Sequence, residues 1–459
     1  MNNYGKLFFL GFPDGLDDEA LNIIKDYEPA GVILYPDNMK SIEELQISMD
    51  KLYSLNIPLL ISSDHEGGQL ETVPGILSSP GNYAIGKNDI NSAYDYAKYL
   101  GKKLREYGFN MVFSPVLDVL HEDSSAVTGL RVFSNNVETI TEFGKYYIKG
   151  LKEHNILPTP KHFPGHGKAK QDSHEETPII FDFSFDDDDI FPFKTLINEI
   201  EILMTAHVIY KPLDNELGTV SKVILDELLR KKLNYKGIVI SDAIEMKAFY
   251  NNYFPEKIDM FFNNGGDILL ISDARKNFYP AYNALIESKI NKNILDNKIY
   301  RIIELQKKYF NNEYEGKFLI DIAKNSLKIH IKKNIDNPDI ILIPEAINLS
   351  QADTTANDLE KLENLVKLEF KKSKIIKYNP LNGVLSEKFD PNLKIISFVL
   401  DSFRFPKQLN MHKGLKNAIY VIIRNDQDEK YYNDCSYIIT YSTKLISIYQ
   451  AIKAIKKGV

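Results

Sequence analysis

The feature that most constrains this chain is an alternation: eight short, nearly continuous apolar runs, each followed by a segment of helical period. The runs are Leu7–Phe12, Gly31–Tyr35, Leu59–Asp64, Met111–Asp118, Leu157–Phe163, Glu201–Val208, Gly237–Ala243 and Asp267–Ser272. A run that is apolar at almost every position suits a parallel strand buried on both faces. Between the runs, as in Ser41–Leu55, Ile42, Leu45, Met49 and Leu52 recur at helical spacing behind a Ser41/Glu44 capping box. Strand and helix in alternation predict an α/β fold, and a count of eight favours a closed (β/α)8 TIM-type barrel over an open doubly wound sheet.

The length of 459 residues exceeds one ordinary domain and suits a barrel plus a smaller unit. A long helical stretch from Asn277 to Phe310 closes the first unit, after which the pattern changes. Asp339–Pro344, Lys394–Asp401, Ala418–Asn425 and Ser436–Ser442 read as strands, with Gln351–Lys372 and Lys444–Lys457 helical around them. The expected organisation is a catalytic barrel over residues 1–315 and a smaller C-terminal αβα sandwich over 316–459.

With a formal net charge of −7, the chain has no electrostatic reason to bind nucleic acid or an anionic membrane. A small uncharged substrate fits better, and the 27 tyrosines and 25 phenylalanines supply aromatic surface that could stack on a sugar ring. The single cysteine, Cys435, cannot form an intramolecular disulfide. Leu7–Leu10 is too short an apolar core for a secretory signal, and no window approaches the roughly 18 apolar residues of a membrane span. The expectation is a cytoplasmic protein, monomer or homodimer, with no cofactor and no bound metal.

Polar residues gather just past the strand ends: Asp64 after the third run, Asp118 after the fourth, Lys161 and His162 at the fifth, His207 at the sixth and Asp242 at the seventh. In barrels of this kind the C-terminal face carries the chemistry. The densest group is Lys161-His-Phe-Pro-Gly-His-Gly167, followed by Asp172 and His174. The run Asp186–Asp189, just before Phe191-Pro192-Phe193, reads as negative charge at a helix N-terminus. Asp242, closing a buried strand, reads either as a nucleophile at the barrel mouth or as an ordinary helix N-cap, and position alone leaves both open.

The segment Lys161-His-Phe-Pro-Gly-His-Gly-Lys-Ala-Lys-Gln-Asp172-Ser-His174 closely resembles the signature of glycoside hydrolase family three, in its β-N-acetylglucosaminidase branch. Asp64-His-Glu-Gly-Gly68, Gly129-Leu-Arg-Val-Phe-Ser134, Thr205-Ala-His-Val208 and Ser241-Asp-Ala-Ile-Glu-Met246 match in the same order. Ile294–Phe310 looks like the family's closing helix and the tail like a reduced second domain. The resemblance implies an exo-acting, retaining β-N-acetylglucosaminidase in which Asp242 is the nucleophile and His174 the acid/base, with Asp172 orienting the imidazole. It further implies that Asp64, Arg131, Lys161 and His162 bind the sugar, that Glu66 and His207 support them from behind, and that Gly165 and Gly167 let the acid/base loop turn and move. A departure is Glu175-Glu176 after the Asp-Ser-His motif, which adds negative charge beside the acid.

Other readings remain at this stage. A phosphorylase or a β-glucosidase could use the same scaffold. From other classes come a non-catalytic sugar-binding protein and a metal-dependent hydrolase with His162, His166, Asp172 and His174 as ligands. Against the metal reading, Pro164 and Gly165 break the helix that would set His162 and His166 on one face.

Overall fold

All eight expected strands form, and they close on themselves. The computed structural model describes residues 3–125, 128–171, 176–250, 254–311, 313–347 and 355–458. The barrel strands are β1 (Phe8–Gly11), β2 (Gly31–Ile33), β3 (Leu60–Ser62), β4 (Met111–Val112), β5 (Leu157–Pro158), β6 (Ile202–Met204), β7 (Ile238–Ala243) and β8 (Ile268–Ile271). Six of them hydrogen-bond in the order β3-β2-β1-β8-β7-β6, and β4 pairs with β5, all in parallel. Backbone bonds join the two pieces into a ring. Asn110 N donates to Ile61 O and Phe113 N to Ser63 O, both at 3.2 Å, while Met204 N donates to Pro160 O at 3.0 Å and Phe163 N to Met204 O at 2.8 Å.

The strands are shorter than the apolar runs that announce them, most of all β4 and β5. Pro115, Pro158, Pro160 and Pro164 carry no N–H, so the ladder cannot be continuous there. Pairing resumes only at the isolated bridges Val116–Lys161 and Phe163–Thr205. The long closing helix is in fact two, Ala274–Glu287 and Lys292–Tyr309. Asn291 ends the break by accepting Asn293 N at 2.9 Å, an N-cap that apolar periodicity could not reveal. In the acidic run, Asp187 accepts Asp189 N at 3.1 Å and so caps the turn Asp188–Ile190 that leads into helix Phe191–Leu196.

By their contacts the residues form two compact units, the first comprising Met1–Gly15, Glu19–Ser41 and Leu52–Glu315, the second Leu16–Asp18, Ile42–Lys51 and Gly316–Val459. The second unit holds a sheet of seven strands: β9 (Lys328–His330), β10 (Ile340–Pro344), β11 (Lys374–Asn379), β12 (Val384–Leu385), β13 (Ile395–Leu400), β14 (Ala418–Ile423) and β15 (Ser436–Ile439). The order is β9-β15-β14-β13-β10-β11-β12, parallel from β15 to β11 with one antiparallel strand at each edge. Helices Thr355–Glu369 and Leu445–Lys457 pack Leu362, Val366, Ile448 and Ile452 against one face. The opposite face buries Tyr420, Ile422 and Tyr432. The architecture is therefore a (β/α)8 TIM-type barrel followed by a smaller αβα sandwich. Three strands in the second unit escaped sequence reasoning. β9 is exposed at every position, β12 has two residues, and β11 places lysines between its apolar residues as an outer strand does.

Candidate active site

Five of the expected site residues meet at the mouth of the barrel. Asp64 follows β3, Arg131 ends a short turn after β4, Lys161 and His162 follow β5, and Asp242 belongs to the end of β7. All five line one cavity of about 490 Å3, together with Asp118, His166, Tyr35, Thr72 and Met246.

The charges in this wall are neutralised in a definite pattern. Lys161, buried, places Nζ 2.8 Å from Asp64 Oδ1 and 2.7 Å from Glu66 Oε1. Arg131 forks onto the same Glu66, with Nε donating to Oε2 at 2.8 Å and Nη2 to Oε1 at 2.7 Å. Such a bidentate pair fixes the guanidinium plane as well as its charge. Burial alone would raise the Glu66 carboxyl, but Arg131 and then Lys161 outweigh it and hold Glu66 well below the usual carboxylate range. Burial acts to lower the Lys161 ammonium, yet Asp64 and Glu66 raise it overall. Glu66 thus keeps two cations fixed and charged at a wall of the cavity.

A second pair sits beside this one. Asp118 accepts His162 Nδ1–H at 2.7 Å and the backbone amides of His162 at 3.2 Å and His166 at 2.8 Å. Burial works against its charge, but His162 and these donors keep the carboxyl below its ordinary value. An acceptor-only carboxylate on Nδ1 leaves the Nε2 edge of His162 for other partners. The loop carrying these residues is held by close packing. Gly165 has φ 137°, and a Cβ on Gly167 would lie 1.8 Å from Val119 O. Ser124 Oγ donates to Gly167 O at 2.6 Å, and Lys168 pairs with Asp187 at 2.6 Å. Gly167 has a steric role in this arrangement, since a Cβ does not fit against the Val119 carbonyl.

Asp242 is half-buried and does not cap a helix. Its Oδ1 accepts Ala243 N at 2.7 Å within the strand, and the next helix begins only at Lys247. Burial raises its carboxyl, but His162 first and then His207 bring it below the ordinary value of 3.8, so it stays ionised at neutral pH. His207 is buried, with Nε2 3.1 Å from Ala243 O and Nδ1 2.7 Å from Thr219 Oγ1, and burial lowers its imidazole. Nearby Glu245 accepts Ser272 N and Asp273 N, each at 2.9 Å, and so supports the end of β8.

Glu66 and His207 lie behind the cavity wall, held by the contacts just described. Asp172 and His174 fall outside the described residues. Sequence reasoning had marked Asp118 as a strand-end carboxylate but gave it no role. It considered His166 only as a metal ligand and passed over Tyr35 and Thr72, whose types carry no signal of their own. Among the described residues, no three His, Cys, Asp or Glu side chains gather to hold a metal ion, and no helix is long and apolar enough to cross a membrane.

Comparison with known proteins sets this geometry in context. Residues 6–305 match the glycosyl hydrolase family 3 N-terminal domain, and residues 336–455 match the beta-N-acetylglucosaminidase C-terminal domain. The chain is 33% identical to a beta-hexosaminidase from Tolumonas auensis over 57% of its own length and 80% of that protein. It is 30% identical to beta-hexosaminidase A from Pseudoalteromonas piscicida over 64% of its length, spanning 56% of that relative. Among solved structures, the beta-N-acetylglucosaminidase from Thermotoga maritima superposes with a TM-score of 0.85 at 33% identity, covering 98% of this chain and 99% of that one. Zinc-bound CbsA from Thermotoga neapolitana superposes with a TM-score of 0.86 at 33% identity, covering 99% of both chains.

Proposed function

The chain belongs to glycosyl hydrolase family 3, and on that premise we propose that it is a retaining, exo-acting β-N-acetylglucosaminidase with Asp242 as nucleophile. The observation that carries this reading is the position of Asp242, an ionised, half-buried carboxylate that shares one cavity with Asp64, Arg131, Lys161 and His162. The relatives named beta-hexosaminidase and beta-N-acetylglucosaminidase support the substrate class.

In the first step the Asp242 carboxylate attacks the anomeric carbon, the bond to the aglycone oxygen breaks, and His174 gives that oxygen a proton. In the second, water attacks the same carbon, His174 takes its proton, and the bond from that carbon to Asp242 breaks, freeing the sugar and restoring the carboxylate. Asp172 orients His174. Asp64 accepts hydrogen bonds from ring hydroxyls, while Arg131, Lys161 and His162 donate to hydroxyls or to the N-acetyl carbonyl. The fixed cations in the wall are preorganised by Glu66 and need no rearrangement when the sugar arrives.

Turnover of a nitrophenyl β-N-acetylglucosaminide, with product analysis in the presence and absence of phosphate, tests the reaction. Free N-acetylglucosamine under both conditions is expected, and accumulation of the sugar 1-phosphate would assign phosphorolysis instead. His174→Ala is expected to slow substrates with poor leaving groups far more than activated aryl glycosides. Equal slowing of both would remove His174 from the acid role.

A further inference from the structure

The wall of the cavity contains charged groups that already have partners and neutral groups that do not. Asp64 is matched by Lys161, Arg131 by Glu66, and His162 by Asp118. His166 differs. It is 5% exposed and lines the cavity, and neither of its ring nitrogens has a hydrogen-bond partner among the described residues. Thr128, whose hydroxyl is also without a partner, lines the same cavity. Among the described residues Ser62 and Thr159 carry unpartnered buried hydroxyls too, but neither lines it.

A buried imidazole with two unsatisfied nitrogens is costly, and native structures seldom leave such a group unmatched. Its backbone is pinned, with His166 N donating to Asp118 at 2.8 Å, which fixes the point from which the side chain projects while the ring itself can turn. Both nitrogens are covered in this arrangement while the ring lines the cavity, so a small turn of the side chain brings them to a ligand bound there. Its chemistry follows from the neighbours: an anion would meet Asp118 and Asp242, whereas a hydroxyl group offers one donor and acceptor capacity at once. Neutral imidazole likewise has one N–H and one lone pair, and burial keeps this ring neutral, lowering its pKa to about 4.

Resting on the glycosidase reading above, we infer that His166 is a direct ligand of the bound sugar, donating from one ring nitrogen and accepting at the other from hydroxyl groups of the pyranose. It is a specificity-determining residue and plays no part in proton transfer to the leaving group. A site of this kind discriminates against a sugar that lacks the matching hydroxyl, because its own buried nitrogens are then left unpaired.

The test compares wild type with His166→Phe, which keeps a ring of similar size without the nitrogens, on the nitrophenyl glycoside and its monodeoxy analogues. For wild type, removing the recognised hydroxyl should lower kcat/KM about 30-fold, equivalent to about 2 kcal/mol. In His166→Phe the same removal should cost less than about threefold, while the other positions keep their wild-type penalties. The pH profile of kcat should be unchanged. Identical deoxy penalties in both enzymes would overturn the role of His166 and leave the glycosidase reading standing. A wild-type enzyme that turns over no β-N-acetylhexosaminide would overturn that reading and this inference with it. Should His166→Phe fail to fold, NMR of the wild-type His166 ring nitrogens on titration with N-acetylglucosamine decides the matter: a ligand shifts them, and unmoved resonances end the proposal.

Discussion

His166 in the barrel and His412 in the second unit are almost equally dry, 5% and 6% exposed, and burial lowers both imidazoles, to about 4 and about 3. Their surroundings are opposite. His412 has Ser397 Oγ 3.0 Å from Nε2 and Tyr432 OH 2.7 Å from Nδ1, and Tyr432 is in turn 2.9 Å from Ser402 Oγ. Among the described residues His166 has no such partner, and it lines a cavity. Burial and a shifted pKa are common to both, so neither property distinguishes a site from a core. What distinguishes them is whether the polar atoms are satisfied within the fold.

The contrast makes its largest prediction at Asp242. A residue of the cavity should be costly to function and cheap to stability. Asp242→Ala is expected to lower kcat by at least about 10⁴-fold while leaving the melting temperature close to that of wild type. Turnover of an activated aryl glycoside, measured beside a thermal melt, checks both halves. Residual activity within about tenfold of wild type would show that another group is the nucleophile.

Glu66 should blur the contrast, since it lies behind the wall and serves both ends. Glu66→Gln leaves Lys161 and Arg131 buried with less compensating charge, a situation that typically costs about 3–5 kcal/mol. The pH dependence has a definite sign. The Glu66 carboxyl is held far below its ordinary value of 4.5, burial opposing and Arg131 prevailing, so its stabilisation is full above that value and is lost as pH falls through it toward the folded pKa. Wild type should lose stability below about pH 4.5 more steeply than Glu66→Gln. Thermal melts across this range, with KM measured at neutral pH, provide the check, and parallel pH curves for the two proteins would refute the assignment.

The barrel was legible in the sequence because its strands are buried on both faces, which leaves little besides apolar residues in each run. Pro115, Pro158 and Pro160 were equally visible, yet a run reading apolar through Asp118 or Phe163 does not show where the missing N–H groups interrupt the ladder. The break between Glu287 and Lys292 was hidden because the apolar period continues across it, and an asparagine cap announces itself only through its hydrogen bond. In the second unit, Lys374 and Lys377 interrupt the apolar residues of β11, which so offers no continuous run. At the site, Asp64, Lys161, His162 and Asp242 were readable as polar residues at strand ends. Asp118 was read only in part and His166 only as a metal ligand, because their meaning depends on which polar atoms find partners across loops. Residues 118 and 162 are 44 positions apart. Sequence spacing carries no trace of such a pairing.

The smallest effect is expected where the contrast began. His412→Phe removes both of the ring's hydrogen bonds and leaves Ser397 Oγ unmatched, while Tyr432 OH keeps Ser402. An unpaired buried hydroxyl and a lost bond together cost about 1–3 kcal/mol, which should appear as a lower unfolding temperature for the second unit. His412 belongs to a network satisfied within the second unit, so kcat/KM per folded molecule and the deoxy-sugar penalties should match those of wild type. That pattern is the mirror image of the one expected for His166→Phe, which should change the penalties without lowering stability, since it removes two unpaired nitrogens. If the two substitutions proved alike in either measure, hydrogen-bond satisfaction would not be what separates a structural histidine from a functional one in this protein.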